Sequence, residues 1–263
     1  MSPYTFAGAP FAAEGQADYG VLGAPSNLGS TTRGGAMAEA PRAIRLSYAA
    51  AAPENLIDLG DVEPEKRNLE HYLDQLTNEV KTCLEQIKQT LLVLGGDDSV
   101  SYSVVRAVSE FHEGPVDLVH FDAHKDEHPD LSMGIDHSNW VTALKNGNLI
   151  VSDVERHGYR MESEQPSQDL EEQDPTLVVD MAAPPVARVV VLDMGAIDPA
   201  FAPGVAAPEP FGLTPVYVLE TVSKIVKEGN VRAIVLTEVD PSRDINEQTS
   251  RLAFRFLYNL ITR

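Results

Sequence analysis

The chain has little of several features that particular classes of protein need. It contains one cysteine, Cys83, so it can form neither an intrachain disulfide nor a cluster of thiolates around a metal. It has 20 lysines and arginines against 40 aspartates and glutamates, a formal net charge of −20. This deficit of positive charge disfavours nucleic acid and anionic membranes, and it suits small cationic molecules and metal ions. We therefore expect no nucleic-acid partner and no membrane partner.

Long apolar runs are also missing. The longest, such as residues 187–192, is interrupted by Arg188 and is far shorter than the roughly 20 residues that span a bilayer. The first fifteen residues lack a basic start followed by a continuous apolar stretch, which is the pattern of a secretory signal. The sequence therefore predicts a cytoplasmic protein.

Short apolar runs alternate with helical patterns along most of the 263 residues. This alternation predicts a single α/β domain over 1–263, in which a mainly parallel sheet lies between two layers of helices (α/β/α). We expect residues 1–18 to form a loose N-terminal arm and residues 155–185 to form an acidic surface loop. The predicted strands are 19–23, 56–59, 90–94, 116–121, 189–192 and 233–236, and the predicted helices are 41–51, 69–91, 100–111 and 250–261.

Three of the predicted strands end in acidic segments, at residues 94–99, 120–126 and 192–199. The carboxyl ends of parallel strands meet at one edge of a sheet, so these segments should converge on one crevice. Asp122, His124 and Asp126 alternate along the chain and can point to one side. Acidic residues after a strand also cap helices or keep a loop exposed to solvent. Three such segments at one edge favour instead a divalent metal, whose charge would offset the repulsion among the carboxylates.

The segment Asp122-Ala123-His124-Lys125-Asp126 resembles the D-A-H-x-D metal motif of the ureohydrolases, which comprise arginases, agmatinases and formiminoglutamases. Other blocks resemble this family in the same order along the chain, and the block IDHSNW is similar to a segment of agmatinases. These blocks are RGGAMAEAPRAIR (33–45), LGGDDS (94–99), IDHSNW (135–140), DMGAIDPAFAPG (193–204) and EVDP (238–241). The resemblance implies an arginase-like fold.

The resemblance also implies a centre of two Mn2+ ions bridged by carboxylates and a hydroxide that attacks a guanidinium carbon and releases urea. Asp122 and Asp193 would bridge the ions, Asp126 would complete one site, and His124 would belong to the other. With Asp98, these are the five expected metal ligands.

Two positions depart from the family pattern. Asp98 stands where the family has a ligand histidine, and Gly195 stands where it has a ligand aspartate. A carboxylate still coordinates Mn2+ well, whereas glycine has no side chain to offer. We therefore expect one Mn2+ to bind firmly and a second to bind weakly or not at all, with other divalent metals able to compete.

By the same resemblance, His137 would pass a proton to the leaving amine, and Glu238 would pair with the substrate guanidinium. The alternative for Glu238 is a structural ion pair with Arg243. Lys125 lies between two expected ligands and should point away from them. His120 has no counterpart among the family's site residues.

Three functions are compatible with these residues. The first is a metal-dependent amidinohydrolase that cleaves a small cationic guanidino compound, agmatine-like or arginine-like, to an amine and urea. The second is a catalytically impaired homologue that acts as a binding or regulatory subunit. The third is a hydrolase that uses a single metal to cleave an amide or formimino group. The resemblance also implies a homo-oligomer, either a trimer or a hexamer.

Overall fold

The computed structural model describes residues 4–11, 17–31, 35–65, 67–150, 154–161 and 187–262. Seven strands form one sheet in the order β2-β1-β3-β7-β6-β4-β5, and every neighbouring pair is parallel. The strands are β1 Ala17–Ala24, β2 Leu56–Asp61, β3 Ile87–Gly95, β4 Asp117–Phe121, β5 Glu155–His157, β6 Arg188–Asp193 and β7 Val231–Thr237. The prediction of an α/β fold with a mainly parallel sheet is confirmed.

Helices cover both faces of this sheet. They are α1 Ala40–Ser47, α2 Leu69–Gln86, α3 Val100–Phe111, α4 Trp140–Asn146, α5 Pro215–Glu228 and α6 Gln248–Ile261. Side chains alternate along each strand, so β3 sends Leu92 and Leu94 into one apolar core and Leu91 and Val93 into the other. The first core is closed by α1, α5 and α6, and the second by α2, α3 and α4. The fold therefore has three layers.

The boundary between α2 and β3 differs from the predicted one. The apolar spacing extended the helix to Leu91, but α2 ends at Gln86 and β3 begins at Ile87. Ile87 and Leu91 are four residues apart, which places them on one face of a helix and equally on one face of a strand. Pairing decides between the two, because Leu91 is in register with Gly20 of β1 and Ala233 of β7.

The expectation of a loose arm over residues 1–18 is wrong for residues 4–11 and for 17–18, which begin β1. Phe6 is fully buried, and its ring stacks on Phe254 of α6 with 4.4 Å between centroids. The amide of Phe6 also donates a hydrogen bond of 2.7 Å to the buried carboxylate of Asp58. Phe6 lies between Thr5 and Ala7, so the composition of this segment does not predict that its side chain is buried.

The predicted acidic loop over 155–185 is wrong at its start, because Glu155–His157 form β5 at the edge of the sheet. An edge strand with one partner needs no continuous apolar run, so its polar sequence conceals it. Residues 162–185 of that predicted loop lie outside the described residues. Helices α4 and α5 were not predicted, although Val218, Val222 and Ile225 have helical spacing.

No helix within the described ranges is both long and apolar enough to cross a membrane. The four central strands β3, β7, β6 and β4 lie side by side. Their carboxyl ends form the floor of the candidate site.

Candidate metal centre and active site

Each of the four central strands places an acidic residue at or just after its carboxyl end. Asp98 follows β3, Glu238 follows β7, Asp193 ends β6 and Asp122 follows β4. Gly96 makes the turn after β3 possible, because a Cβ there would lie 1.8 Å from the carbonyl oxygen of Ser26. The predicted convergence of these acidic residues thus follows from the order of the strands in the sheet.

One cluster of possible ligands, which we call the Asp98 group, consists of Asp98, His120, Asp122 and Asp126, with the ligand atoms all within 4.8 Å of one another. His120 Nε2 lies 3.5 Å from Asp122 Oδ2 and 3.8 Å from Asp98 Oδ2 and Asp126 Oδ2. His120, Asp98 and Asp122 are each at most 2% exposed. The sequence reading missed His120, although its position two residues before Asp122 on a strand places both on one face.

The carboxylate of Asp98 is fixed on one side and open on the other. Its Oδ1 accepts hydrogen bonds from the hydroxyls of Thr237, at 2.6 Å, and Ser101, at 2.8 Å. Its Oδ2 has no hydrogen-bond partner among the described residues. Such outer contacts orient a carboxylate that binds a metal through its other oxygen.

A second cluster, the His124 group, consists of Asp122, His124 and Asp193, again with ligand atoms within 4.8 Å of one another. His124 Nδ1 lies 3.3 Å from Asp122 Oδ1. Asp193 Oδ1 accepts the backbone N–H of Gly195 at 2.6 Å. Gly195, which the family resemblance marks as a lost ligand, therefore contributes a backbone donor and no side chain.

The structure thus brings together all five predicted ligands but divides them differently. Asp122 belongs to both groups, as a bridging carboxylate would, whereas Asp193 joins only the His124 group. The second bridging carboxylate that the resemblance implies, Asp193, is therefore not reproduced by these two clusters. Lys125 is among the residues that line the cavity above the groups, and its ammonium lies 4.6 Å from the ring centroid of Tyr159.

Electrostatics at this centre are unfavourable without a cation. Burial and the charges of neighbouring carboxylates raise the pKa of Asp122 and Asp126 well above the usual range. Burial and the charge of Asp98 raise the pKa of Asp193 to about 7. Burial also lowers the pKa of His120, so its ring is neutral near pH 7 and supplies no compensating charge.

Unpartnered buried atoms give the best test of whether these residues fit a divalent ion. Asp98 Oδ2, Asp122 Oδ2 and His120 Nε2 are all buried and, across the described ranges, none has a hydrogen-bond partner. Buried polar atoms are rarely left unsatisfied, and these three face one another. Carboxylate oxygens of this kind are suitable ligands for Mn2+ or Mg2+. The residues fit the group that the resemblance implies.

A cavity of about 520 Å3 opens above the two groups. Asp98, Asp126 and Asp193 line its floor, and His137 and Glu238 line it as well. The arrangement places the predicted ligands and both predicted catalytic residues around one space large enough for a small molecule.

Glu238 is held in an unusual backbone conformation. It is 6% exposed, and its φ of 63° lies in the left-handed region that a glutamate rarely adopts. Its Oε1 accepts the backbone N–H of Asp98 at 2.9 Å, and burial with the charge of Asp193 raises its pKa well above the usual range. The alternative of an ion pair with Arg243 is wrong, because Arg243 pairs with Asp240 at 3.1 Å.

His137 lies on the other side of the cavity, partly exposed. Its Nε2 is 2.8 Å from the hydroxyl of Thr31, and its backbone N–H donates to the carbonyl oxygen of Gly29 at 3.2 Å. These contacts tie the His137 loop to the segment after β1, so the imidazole is oriented without being fully buried.

Comparison with known proteins agrees with the fold. The model of the arginase family matches residues 17–262. "Arginase 1, mitochondrial" of Oryza sativa subsp. indica is 33% identical over 228 residues, covering 79% of this chain and 66% of that protein. "Agmatinase, mitochondrial" of Gallus gallus is 30% identical over 277 residues, covering 93% of this chain and 80% of the agmatinase.

Solved structures give the same result. The proclavaminate amidino hydrolase of Streptomyces clavuligerus superposes with a TM-score of 0.82 at 25% identity, covering 99% of this chain and 96% of that one. Formimidoylglutamase of Bacillus subtilis has a TM-score of 0.84 at 22% identity, which supports the fold alone.

Fold and site together define an α/β protein with a cluster of carboxylates and histidines at the carboxyl end of a parallel sheet. Within that class, the chain belongs to the arginase family. The predicted kinship with ureohydrolases is confirmed. The match spans just under two thirds of the length of the rice arginase, at 66%.

Proposed function

We propose that this chain is a metal-dependent amidinohydrolase that cleaves a guanidino compound to an amine and urea. The observation that carries the proposal is the set of unpartnered buried atoms of Asp98 and Asp122, which face one another beneath a cavity that also holds Glu238 and His137. A divalent ion, when bound, supplies a positive charge that lowers the pKa of coordinated water. Asp98, Asp122 and Asp126 would hold one ion, and Asp122, His124 and Asp193 a weaker second, with Mn2+ as the expected metal.

Glu238 would bind the substrate guanidinium. Its Oε1 is engaged by the amide of Asp98, which fixes the carboxylate and leaves Oε2 as an acceptor for substrate N–H groups. A buried carboxyl whose pKa is raised gains most from a cationic partner, because that partner restores the ionised form.

His137 would carry the proton that the leaving amine needs. An imidazole has nitrogens that can both accept and donate a proton, so His137 can act as the general acid. The hydroxyl of Thr31, 2.8 Å from Nε2, orients the ring and can exchange a hydrogen bond with it as its protonation changes.

The rim of the cavity favours a guanidino compound with an anionic group at its far end. Two cations near the cavity, Lys145 and Arg156, are already paired with Glu127, at 2.7 Å and 2.5 Å respectively. Among the described residues that line the cavity, Lys125 alone is a lysine or arginine. Its ammonium is therefore the group available for a substrate carboxylate, which shifts the expectation from an agmatine-like toward an acid-bearing substrate.

The test is a panel of guanidino compounds assayed for urea with Mn2+ present. Arginine, agmatine, guanidinobutyrate and guanidine should be compared with the unmodified chain, Glu238→Gln and Lys125→Met. We expect guanidinobutyrate to be preferred over agmatine and Glu238→Gln to lower turnover by about 100-fold or more. Lys125→Met should weaken the preference for the acid while leaving agmatine cleavage similar. Absence of urea release from every compound in the presence of each divalent metal would refute the proposal.

Gly195 favours a second candidate, a homologue that binds metal without hydrolysing guanidino compounds. The His124 group offers three ligands where the family resemblance implies a further aspartate. Stoichiometric Mn2+ binding without urea release would support this candidate. Ammonia release from a formimino compound with one bound metal would instead support the single-metal hydrolase.

The assembly and the compartment stay predictions. Light scattering on the purified chain would distinguish a trimer or hexamer from a monomer, and fractionation of cells would test the cytoplasmic assignment.

A further inference from the structure

Trp140, the only tryptophan of the chain, contacts one of the predicted metal ligands. Its indole Nε1–H donates a hydrogen bond of 2.9 Å to Oδ2 of Asp126. An indole nitrogen can only donate, so the carboxylate of Asp126 is the acceptor. The same Oδ2 lies 3.8 Å from His120 Nε2, within the Asp98 group. Because a carboxylate has several lone pairs, Asp126 can accept from the indole and still serve as a ligand in that group.

The backbone of Asp126 is held by the same helix. Its φ of 52° lies in the left-handed region, which residues other than glycine adopt infrequently. The amide of Val141, the residue after Trp140 in α4, donates to the carbonyl oxygen of Asp126 at 3.2 Å. Two consecutive residues of α4 therefore fix the carbonyl group and the carboxylate of Asp126, and together they determine where this ligand lies.

Apolar packing determines the position of α4 in turn. Trp140, Val141 and Leu144 are fully buried and belong to the core that α2 and α3 also close. The ring of Trp140 meets the ring of His120 edge to face, with 5.1 Å between centroids and 77° between planes. A close-packed interior leaves little space into which so large a side chain could turn, so the indole N–H stays directed at Asp126.

We propose that Trp140 is a positioning residue of the Asp98 group, whose indole N–H holds the carboxylate of Asp126 in place for a divalent ion. The inference rests on the proposal that this group binds such an ion. Residues that donate hydrogen bonds to a ligating carboxylate orient it, and their loss typically lowers metal affinity by about 10- to 100-fold. Asp126 belongs to the Asp98 group and not to the His124 group, so the effect should fall on the firmly bound ion.

A replacement that keeps the shape of the side chain and removes its N–H separates positioning from packing. Because the chain has one tryptophan, incorporation of 3-benzothienylalanine, in which sulfur replaces the N–H, changes this site alone. We expect the affinity of the full chain for Mn2+, measured from the electron paramagnetic resonance of the free ion, to fall about 10-fold or more. Incorporation of 7-azatryptophan, which keeps the N–H, is the matched control and should leave the affinity unchanged. Equal affinities of all three proteins would refute the proposal.

A cycle of variants asks whether Trp140 acts through Asp126. Trp140→Phe should lower the affinity for Mn2+ about 10-fold in the otherwise unmodified chain. It should have no further effect when Asp126→Ala is already present, because the acceptor is then absent. Tyr72→Phe is the control, since it removes a buried O–H donor to the carbonyl of Val62 in the same core and should leave the affinity unchanged. Equal effects of Trp140→Phe in both backgrounds would assign Trp140 to core packing and overturn the proposal.

The unmodified chain provides a test that needs no variant to fold. Its single indole N–H gives one signal in a 1H–15N NMR spectrum, so the signal of Trp140 is assigned by composition. We expect saturating Mg2+ to shift this signal and Mn2+ to broaden it. A signal that neither ion changes would contradict the proposal. Failure of the proposed function is distinguishable, because a chain that binds Mn2+ in this way but releases no urea would lose the hydrolase assignment and keep the role of Trp140.

Discussion

Two buried clusters of charged residues in this protein differ in how completely their atoms are paired. In the first, Arg45 donates to both carboxylate oxygens of Asp58, at 2.9 and 3.0 Å, and to Asp61 at 2.6 Å. Asp58 accepts further hydrogen bonds from the amides of Phe6 and Gly60. The positive and negative groups of this cluster satisfy one another.

The Asp98 group is the opposite case. It gathers three carboxylates and an imidazole, and Asp98 Oδ2, Asp122 Oδ2 and His120 Nε2 have no hydrogen-bond partner in the described part of the chain. Two clusters of charged residues that are equally buried can therefore have different roles. A closed set of partners holds two segments of the fold together, whereas an open set that converges on one point is arranged for a ligand that carries the opposite charge.

The closed cluster should be the more costly to break. Arg45→Met leaves the fully buried Asp58 without its cation, so we expect the free energy of unfolding to fall by about 3–5 kcal/mol. Urea unfolding in EDTA would measure it. Arg106→Met, which removes half-exposed pairs with Asp74 and Glu110, should cost about 1 kcal/mol or less. Equal effects of the two variants would contradict the distinction between closed and surface pairs.

The open cluster should respond with the opposite sign. Asp122→Asn removes a buried carboxyl whose pKa is raised by burial and by the charges of Asp193 and Asp98. In EDTA near pH 8 we expect the variant to be more stable than the unmodified chain by on the order of 1–3 kcal/mol. Because Asp122 belongs to both groups, the rise in melting temperature on adding Mn2+ should disappear. A variant that is destabilised in EDTA would indicate that the open cluster is structural.

The pH dependence of stability follows from Asp193. Its pKa is raised to about 7, so the folded chain keeps a proton that the unfolded chain releases near pH 4. The free energy of unfolding of the metal-free protein should therefore fall, on account of this residue, as pH rises from about 4 to about 7. Metal binding needs the ionised carboxylates, so the Mn2+-induced rise in melting temperature should be larger near pH 8 than near pH 6. A constant rise over this range, measured by differential scanning fluorimetry, would contradict the expectation.

Gly195 offers the smallest and most specific change. Gly195→Asp would restore the missing carboxylate of the His124 group, and we expect Mn2+ stoichiometry to increase from one to two at a stability cost of about 1 kcal/mol. The cost arises because a Cβ at this position would lie 3.0 Å from Asp193 Oδ1. Gly195→Ala is the matched control, since it adds the same Cβ without a ligand. Equal stoichiometry for the two variants, measured by equilibrium dialysis, would show that the missing ligand is not the limit.

Much of the site could be predicted from the sequence because its residues are placed by strand ends. Asp122, His124 and Asp126 alternate after β4, and parallel strands bring Asp98 and Asp193 to the same edge. His120 was missed because it lies inside the apolar strand β4 and outside the family motif, and only its spacing of two residues from Asp122 marks it. Its neighbour Arg156 comes from β5, a polar edge strand that composition assigns to a loop.

Sequence alone determined the class of fold and the identity of the carboxylates, because apolar periodicity and motif spacing are local properties of the chain. The division of those carboxylates into two groups and the lack of partners for particular atoms follow from the three-dimensional fold. Those features depend on distances between strands that are far apart in the chain. The strand order β3-β7-β6-β4-β5 sets these distances, and no local pattern encodes them.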